Sequence, residues 1–307
     1  MKSMITITNN NLSLHTIKEP SKKDISLIKD SFRFHPSIIS ELFRPTLHPK
    51  IELYEDHVFL VLRFPQFDKQ KYHKLFASEV DFIIDKNQLI LVQYQNFKAL
   101  DELLEQLKTN EELQKEFFQN NPGYLLYKIL DHLFRSLYEE LDHIGKRVNE
   151  VEGDIFEGHQ EKMLQSISWY RREAIDFKRI IKPNVEIFKE LSENINKLFG
   201  ADIAFYISSV EAIVGRLASL IENHVETLHI IHETNVSLLS FKANEIMKRL
   251  TIFAVIVFPL TFISSIWGMN MLNIPFSNNP FGFWIMVGIM LGGAISMLSF
   301  FKFKKWI

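Results

Sequence analysis

An amide, a hydroxyl and a backbone carbonyl can each offer an oxygen to a cation without the deep trap a carboxylate makes. This sequence places such groups in one file. From Asn244, steps of three and four residues reach Met247, Thr251, Ala254, Phe258, Thr261, Ser265 and Gly268, where the triplet Gly268-Met269-Asn270 begins. The same steps in the other direction reach Ser240, Ser237, Glu233 and Glu226. On a helix these residues share one narrow face, small or weakly polar, with bulky interruptions at Met247 and Phe258. One such face alone in lipid is a poor design, whereas several copies around an axis would line a water-filled path with hydrophobic constrictions. A close-packed helix interface would account for Ala254 and Ser265, but not for an amide and a carboxylate on the same line. Just upstream, His224, Glu226, His229, His232 and Glu233 form a second set. His229 and Glu233, four apart, or His229 and His232, three apart, could share a helix face and hold Zn²⁺. A polar seam of a helical assembly explains the same residues more simply.

The elements that must position this file are legible around it. Leu250 to Phe301 contains no Asp, Glu, Lys, Arg or His, although 23% of the 307 residues are charged. Within that stretch, Leu250–Trp267 and Phe281–Phe301 each have about the length a helix needs to cross a ~30 Å hydrocarbon layer. The segment between them holds Gly268, Pro275, Asn278, Asn279 and Pro280, which break helices. A buried hairpin in a soluble protein would have to hide two such charge-free helices in one core. Lys248, Arg249, Lys302, Lys304 and Lys305 flank the pair on the outside, and the connecting turn has no Lys or Arg. By the positive-inside rule both termini are cytoplasmic and the Gly-Met-Asn turn faces out. The start, "MKSMITITNNNLSL", lacks the apolar core of a signal peptide, which keeps the large N-terminal body on the cytoplasmic side. Net charge is −2, which argues against a nucleic-acid partner. Zero Cys excludes a disulfide framework and a thiolate zinc site.

Residues 1 to about 120 read as an α/β domain. Lys50–Phe64 reads as two short strands around a Glu-Asp turn, and Glu79–Tyr94 as a hairpin turning at Asp85, Lys86 and Asn87. "SKKDISLIKDSF" and "HPSIISELF" carry helical spacing with Ser and Pro near their starts. After "NNPG" (Asn120–Gly123), residues 121–200 read as an antiparallel helix pair, the second member interrupted near Pro183. From about Asp202 a helical pattern runs to Trp267. Its apolar stripe, Ile203, Ile207, Val210, Val214, Leu217, Ile221, Val225 and Leu228, predicts packing with copies of itself or with the preceding helix pair. Two spans cannot enclose a pore, so a symmetric homo-oligomer is implied.

"NEIMKRLTIFAVIVFPLTFISSIWGMN" (Asn244–Asn270), followed by a second span and the basic-aromatic end "FKFKKWI", closely resembles the CorA family of divalent cation transporters, whose signature is Gly-Met-Asn at the outer end of the first membrane helix. "HPSIISELFRPTLHPKIELYEDHVFLVL" resembles that family's N-terminal domain, and the resemblance is faint between about Gln95 and Leu191. It implies an α+β cytosolic domain of αβα type, a long stalk helix, two C-terminal transmembrane helices and a funnel-shaped homopentamer. The implied divisions are a domain at 1–120, a helical hairpin at 121–200, a stalk at 201–249 and a transmembrane hairpin at 250–307. Within the hairpin the first span covers about 250–269, the outer loop 270–280 and the second span 281–301.

The resemblance further implies a selectivity filter at Gly268, Met269 and Asn270, and a pore line of Asn244, Met247, Leu250, Thr251, Phe258, Thr261 and Ser265. Mg²⁺ dehydrates reluctantly, so neutral Asn270 amide and Gly268 carbonyl oxygens suit its hydrated form. Leu250 and Phe258 would form a hydrophobic gate, and Glu233 either an acidic ring or a solvated stalk carboxylate. The chain departs from the family at Met271, often aromatic, in an outer loop without a carboxylate, and at Phe258, often Met. It departs again at Ser209, which stands where the best-known magnesium members have a regulatory Asp. The expected function is transport of Mg²⁺, with Co²⁺ or Ni²⁺, through a pore in the cell's inner (plasma) membrane. The expected partners are copies of the chain, the lipid bilayer and divalent cations, with no catalytic cofactor and no enzyme activity. A zinc transporter of the same superfamily and a membrane-anchored cytosolic sensor are the alternatives.

Overall fold

β-branched and aromatic residues alternating with polar ones build one six-stranded sheet, in the order β1-β2-β6-β5-β4-β3. Its strands are β1 (Met4–Asn9), β2 (Leu12–Lys18), β3 (Lys50–Leu53), β4 (Val58–Phe67), β5 (Leu75–Ile84) and β6 (Gln88–Gln93). All neighbours are antiparallel except β2 and β6, which pair in parallel with Leu14 opposite Leu89. The expected β3–β4 and β5–β6 hairpins form. Asp85 fixes the second, accepting from the backbone N–H of Asn87 at 2.9 Å and of Gln88 at 3.0 Å. Strands β1 and β2 were not evident in the polar N-terminal sequence. In the computed structural model described here, residues 4–9, 11–32, 34–46, 48–67, 75–119, 121–156, 160–269, 275–276 and 279–306 are described.

Two helix layers cover the sheet. On one face α1 (Lys22–Ser31) and α2 (Pro36–Glu41) supply Ile25, Ile28, Ile38 and Ile39, which pack with Ile17, Phe59, Val61, Ile83, Ile90 and Val92. Ser21 and Asp24 form a reciprocal cap on α1, and Pro36 opens α2 with its fixed φ. On the other face Phe64 meets Phe97 and Phe134 at ring separations of 4.9 and 5.0 Å, and Phe134 meets Phe188 edge-on at 5.1 Å. These rings bring in α3 (Lys98–Thr109), α5 (Pro122–Phe156) and α6 (Gln160–Asn194), with α4 (Glu111–Phe117) between. The result is the expected αβα layering.

Asn121 starts α5 by accepting from Gly123 N–H at 2.8 Å, with Pro122 at the first helical position. The interruption expected near Pro183 does not occur, and α6 runs through it. Proline removes one donor, while fully buried Ile181 and Phe188 hold the helix on the sheet to either side. Buried Asn184 donates to Arg63 O on β4 at 2.9 Å and to Ile180 O at 3.4 Å, adding a further tether at that point. After the single turn α7 (Asn196–Phe199) comes α8, Ala201–Trp267, followed by α9, Gly282–Phe303.

The chain divides into two compact units, residues 1–232 and 233–307. In the first, the α8 stripe is buried as the pattern predicted. Ile203, Ile207, Val210, Val214, Leu217, Ile221 and Leu228 are enclosed, and Val225 is half-buried. The partner is the preceding helix pair. Tyr124 and Tyr127 on α5 pack against Tyr206, and Ser192 and Lys178 on α6 bond Glu211 at 2.6 Å and Glu222 at 2.5 Å.

Candidate ion pathway

In the second unit the membrane portion of α8 pairs with α9. At one end the Trp267 ring lies 3.5 Å from where a Cβ on Gly282 would be. At the other, Lys248 Nζ donates to Lys305 O at 3.4 Å, and Phe301 stacks on Trp306. The two helices are long and apolar enough to cross a membrane, and almost none of either apolar window is buried within the protomer.

Every candidate pore residue described is exposed on this unit. Asn244, Thr251, Thr261, Ser265 and Gly268 are open, Met247 and Leu250 are 59% and 58% exposed, and Phe258 is 72% exposed. Ala254, on the same file, is half-buried. The helix aligns the polar members in a particular way. Thr251 Oγ1 donates to Met247 O at 2.8 Å and Thr261 Oγ1 to Val257 O at 2.9 Å. Each hydroxyl proton is thereby turned back onto the backbone and the oxygen lone pairs remain as acceptors. Pro259 lies inside α8 and cannot donate to Val255 O, which adds a carbonyl without its intrahelical bond.

The file ends where the helix does. Gly268 N–H donates to Ser264 O at 3.0 Å and Met269 N–H to Ile266 O at 3.3 Å. A Cβ on Gly268 would lie 3.5 Å from Ser264 O and 3.6 Å from Ser265 O, ordinary contacts, so nothing among the described residues requires glycine there. Asn270 and most of the outer loop lie outside the described residues. Beyond them, Phe276 has φ +64°, and its carbonyl would stand 2.2 Å from a Cβ at Gly282, so the approach of this turn to α9 depends on glycine.

The histidine set does not converge. Among the described residues no group of three or more His, Asp or Glu side chains could hold a metal ion. His224 packs on Gly145 of α5, and burial lowers its pKa. His232 instead lines a groove of about 410 Å³ with Arg171, Arg172 and Arg179 of α6, and His229 and Glu233 are exposed. Ser209 Oγ donates to Tyr206 O at 2.6 Å, and nearby Glu211 is engaged by Ser192.

Sequence reasoning missed a cluster inside the α/β body. Glu79 and Asp81 on β5 are 3% and 1% exposed, with burial the largest influence raising both carboxyl pKa values. The signal was present in "SEVDFII" (Ser78–Ile84), where the two acids share strand parity with the core residue Ile83.

The whole chain superposes on the complete structure of the CorA magnesium transporter from Methanocaldococcus jannaschii with a TM-score of 0.83 at 21% identity, covering 99% of this chain and 94% of that one. An α/β body and a long helix whose charge-free end pairs with the apolar α9, giving two candidate spans, define a membrane protein. The chain belongs to the CorA family: the group described as CorA-like Mg²⁺ transporter protein matches residues 15–305. As a member it is a divalent cation transporter and not an enzyme. The cobalt/magnesium transport protein CorA of Thermotoga maritima is 26% identical over 283 residues, which are 92% of this chain and 80% of that protein. The zinc transport protein ZntB of Yersinia pseudotuberculosis is 19% identical over 273 residues, 89% of this chain and 81% of that one.

Proposed function

We propose that this chain is the protomer of a homopentameric channel that carries hydrated Mg²⁺, and also Co²⁺ or Ni²⁺, down its electrochemical gradient across the cell's inner membrane. Both termini lie on the cytoplasmic side. Residues 201–249 act as stalk, 250–269 and 281–301 as spans, and 270–280 as outer loop. The observation that carries the reading is the exposed file on a helix with no ionisable side chain from Leu250 to its end. Rings of Asn244, Thr251, Thr261 and Ser265 oxygens engage the hydration shell, and Gly268, Met269 and Asn270 select the ion at the outer mouth. Met247, Leu250 and Phe258 are the constrictions that block the path when dry, and Glu233 supplies an acidic ring on the inner side.

The test is Mg²⁺ influx into liposomes containing the purified protein. Wild-type protein should admit Mg²⁺, and Asn270→Ala should reduce the flux by about tenfold or more, since ~1.4 kcal/mol at the barrier is a factor of ten. If wild-type liposomes admit no divalent cation across a range of internal Mg²⁺, the pore reading fails. The likeness to ZntB proteins supports a second reading, in which Zn²⁺ is the physiological ion and His229 and Glu233 contribute on the stalk. Zn²⁺ flux exceeding Mg²⁺ flux in the same vesicles would select it.

A further inference from the structure

β5 carries Glu79 and Asp81 two residues apart, on the sheet face packed by α1 and α2. Two of their four carboxyl oxygens are accounted for. Glu79 Oε1 accepts from the backbone N–H of Thr46 at 2.7 Å, and Asp81 Oδ2 from the Tyr94 hydroxyl at 2.7 Å. That hydroxyl also lies 3.3 Å from Leu42 O. The other two oxygens, Glu79 Oε2 and Asp81 Oδ1, are shielded from solvent and accept from no N–H or hydroxyl among the described residues. Two residues apart on one face of β5, the two carboxyls are neighbours, and each acts on the protonation of the other. Two buried carboxylates side by side, each with a bare oxygen, would repel strongly, whereas one proton between them removes a charge and pairs both oxygens.

The surrounding charges do not replace that proton. Arg63, opposite Glu79 on β4, acts on Glu79 and lowers its pKa, and its influence ranks below burial. On α2, Glu41 adds negative charge against Asp81, while its own carboxylate pairs with Lys50 of β3, which also holds Glu52 at 2.7 Å. β6 has no ionisable side chain, and Asp24 of α1 is engaged in its helix cap. Among the described residues the three acids do not form a group that could hold a metal ion.

We propose that Glu79 and Asp81 form a proton-binding site in the α/β body, and that the bound proton latches the segment from Leu42 to Thr46 onto the sheet. The latch bond is Glu79 to Thr46 N–H, and beside it the Tyr94 hydroxyl that donates to Asp81 Oδ2 lies against Leu42 O. Loss of the proton to water turns a carboxyl–carboxylate pair into two carboxylates, and the segment opens so that water can reach them. The sign follows from the direction of the shifts. Both groups bind protons more tightly folded than unfolded, so their contribution is full below the ordinary carboxylate range and is lost as pH rises through the raised folded values.

The test is hydrogen exchange on the full-length protein in detergent from about pH 5 to about pH 9, corrected for the intrinsic rate. If opening releases one proton, protection of the Leu42, Phe43, Arg44 and Thr46 amides should fall by about tenfold per pH unit. In Asp81→Asn the side-chain amide donates to Glu79 in the proton's place, and the slope should vanish. Glu79→Gln does the same in reverse and decides the matter if Asp81→Asn does not fold. Infrared spectra of the wild type should show a protonated carboxyl band that disappears over the same pH range. Protection independent of pH in the wild type, a slope retained in the folded variants, or absence of that band would each overturn the proposal.

Discussion

At Gly268 the described residues leave room for a methyl group, because the nearest of their atoms to a Cβ are backbone oxygens at 3.5 and 3.6 Å. Glycine at that position is therefore a requirement of the proposed ring of copies, not of the fold. Gly268→Ala should leave thermal stability within about 0.5 kcal/mol of wild type, as substitutions away from packed features do. Mg²⁺ flux in liposomes should nevertheless fall about tenfold or more. Equal loss of stability and flux would instead make Gly268 a structural residue of the protomer. The turn at Gly282 makes the opposite case, since a side chain there meets Phe276 O inside one chain. The triplet was legible because its residues are unusual between two apolar runs. The buried acids were not picked out, because a carboxylate in a polar-looking strand reads as solvated until its parity is compared with Ile83.

Among the elements, α8 behaves as two different helices. Its first half buries one stripe against α5 and α6, and its last turns carry bulky apolar residues around the exposed oxygen file. Leu217 is fully enclosed, so Leu217→Ala should lower unfolding free energy by about 2–5 kcal/mol, read from denaturant unfolding of the full chain. A loss below about 1 kcal/mol would mean the stripe is not the packing element. The bridge between α5 and α6 offers a second check. Arg147 Nη1 reaches both Glu173 carboxylate oxygens, at 2.7 and 2.8 Å, and Glu173 is only 2% exposed. Arg147→Ala removes both of these charge-assisted bonds and should cost about 2 kcal/mol. The helical pattern of α8 was legible over its whole length, and the continuity of α6 was not. A proline rule counts one lost hydrogen bond and cannot see Phe188 and Asn184 holding the helix to the sheet.

For the whole molecule, an α/β body and the paired C-terminal helices followed from strand and helix spacing and from the abrupt end of charged sequence at Leu250, while the αβα layering came from the resemblance to the family. What copies of the chain do together was only partly readable, since the stalk stripe turned out to be satisfied inside one protomer. The proposed assembly has a direct measure: native mass spectrometry in detergent should give five times the 36.1 kDa chain. A monomer or dimer that still conducts would place the ion path elsewhere. The charge-free stretch has one more consequence, an electrical one. An elementary charge moved across a membrane exchanges about 2.3 kcal/mol per 100 mV with the field. Between Leu250 and Phe301 this protein has no ionisable side chain. The membrane voltage therefore finds no lever on the two helices themselves, and in the proposed channel it acts through the passing dication alone.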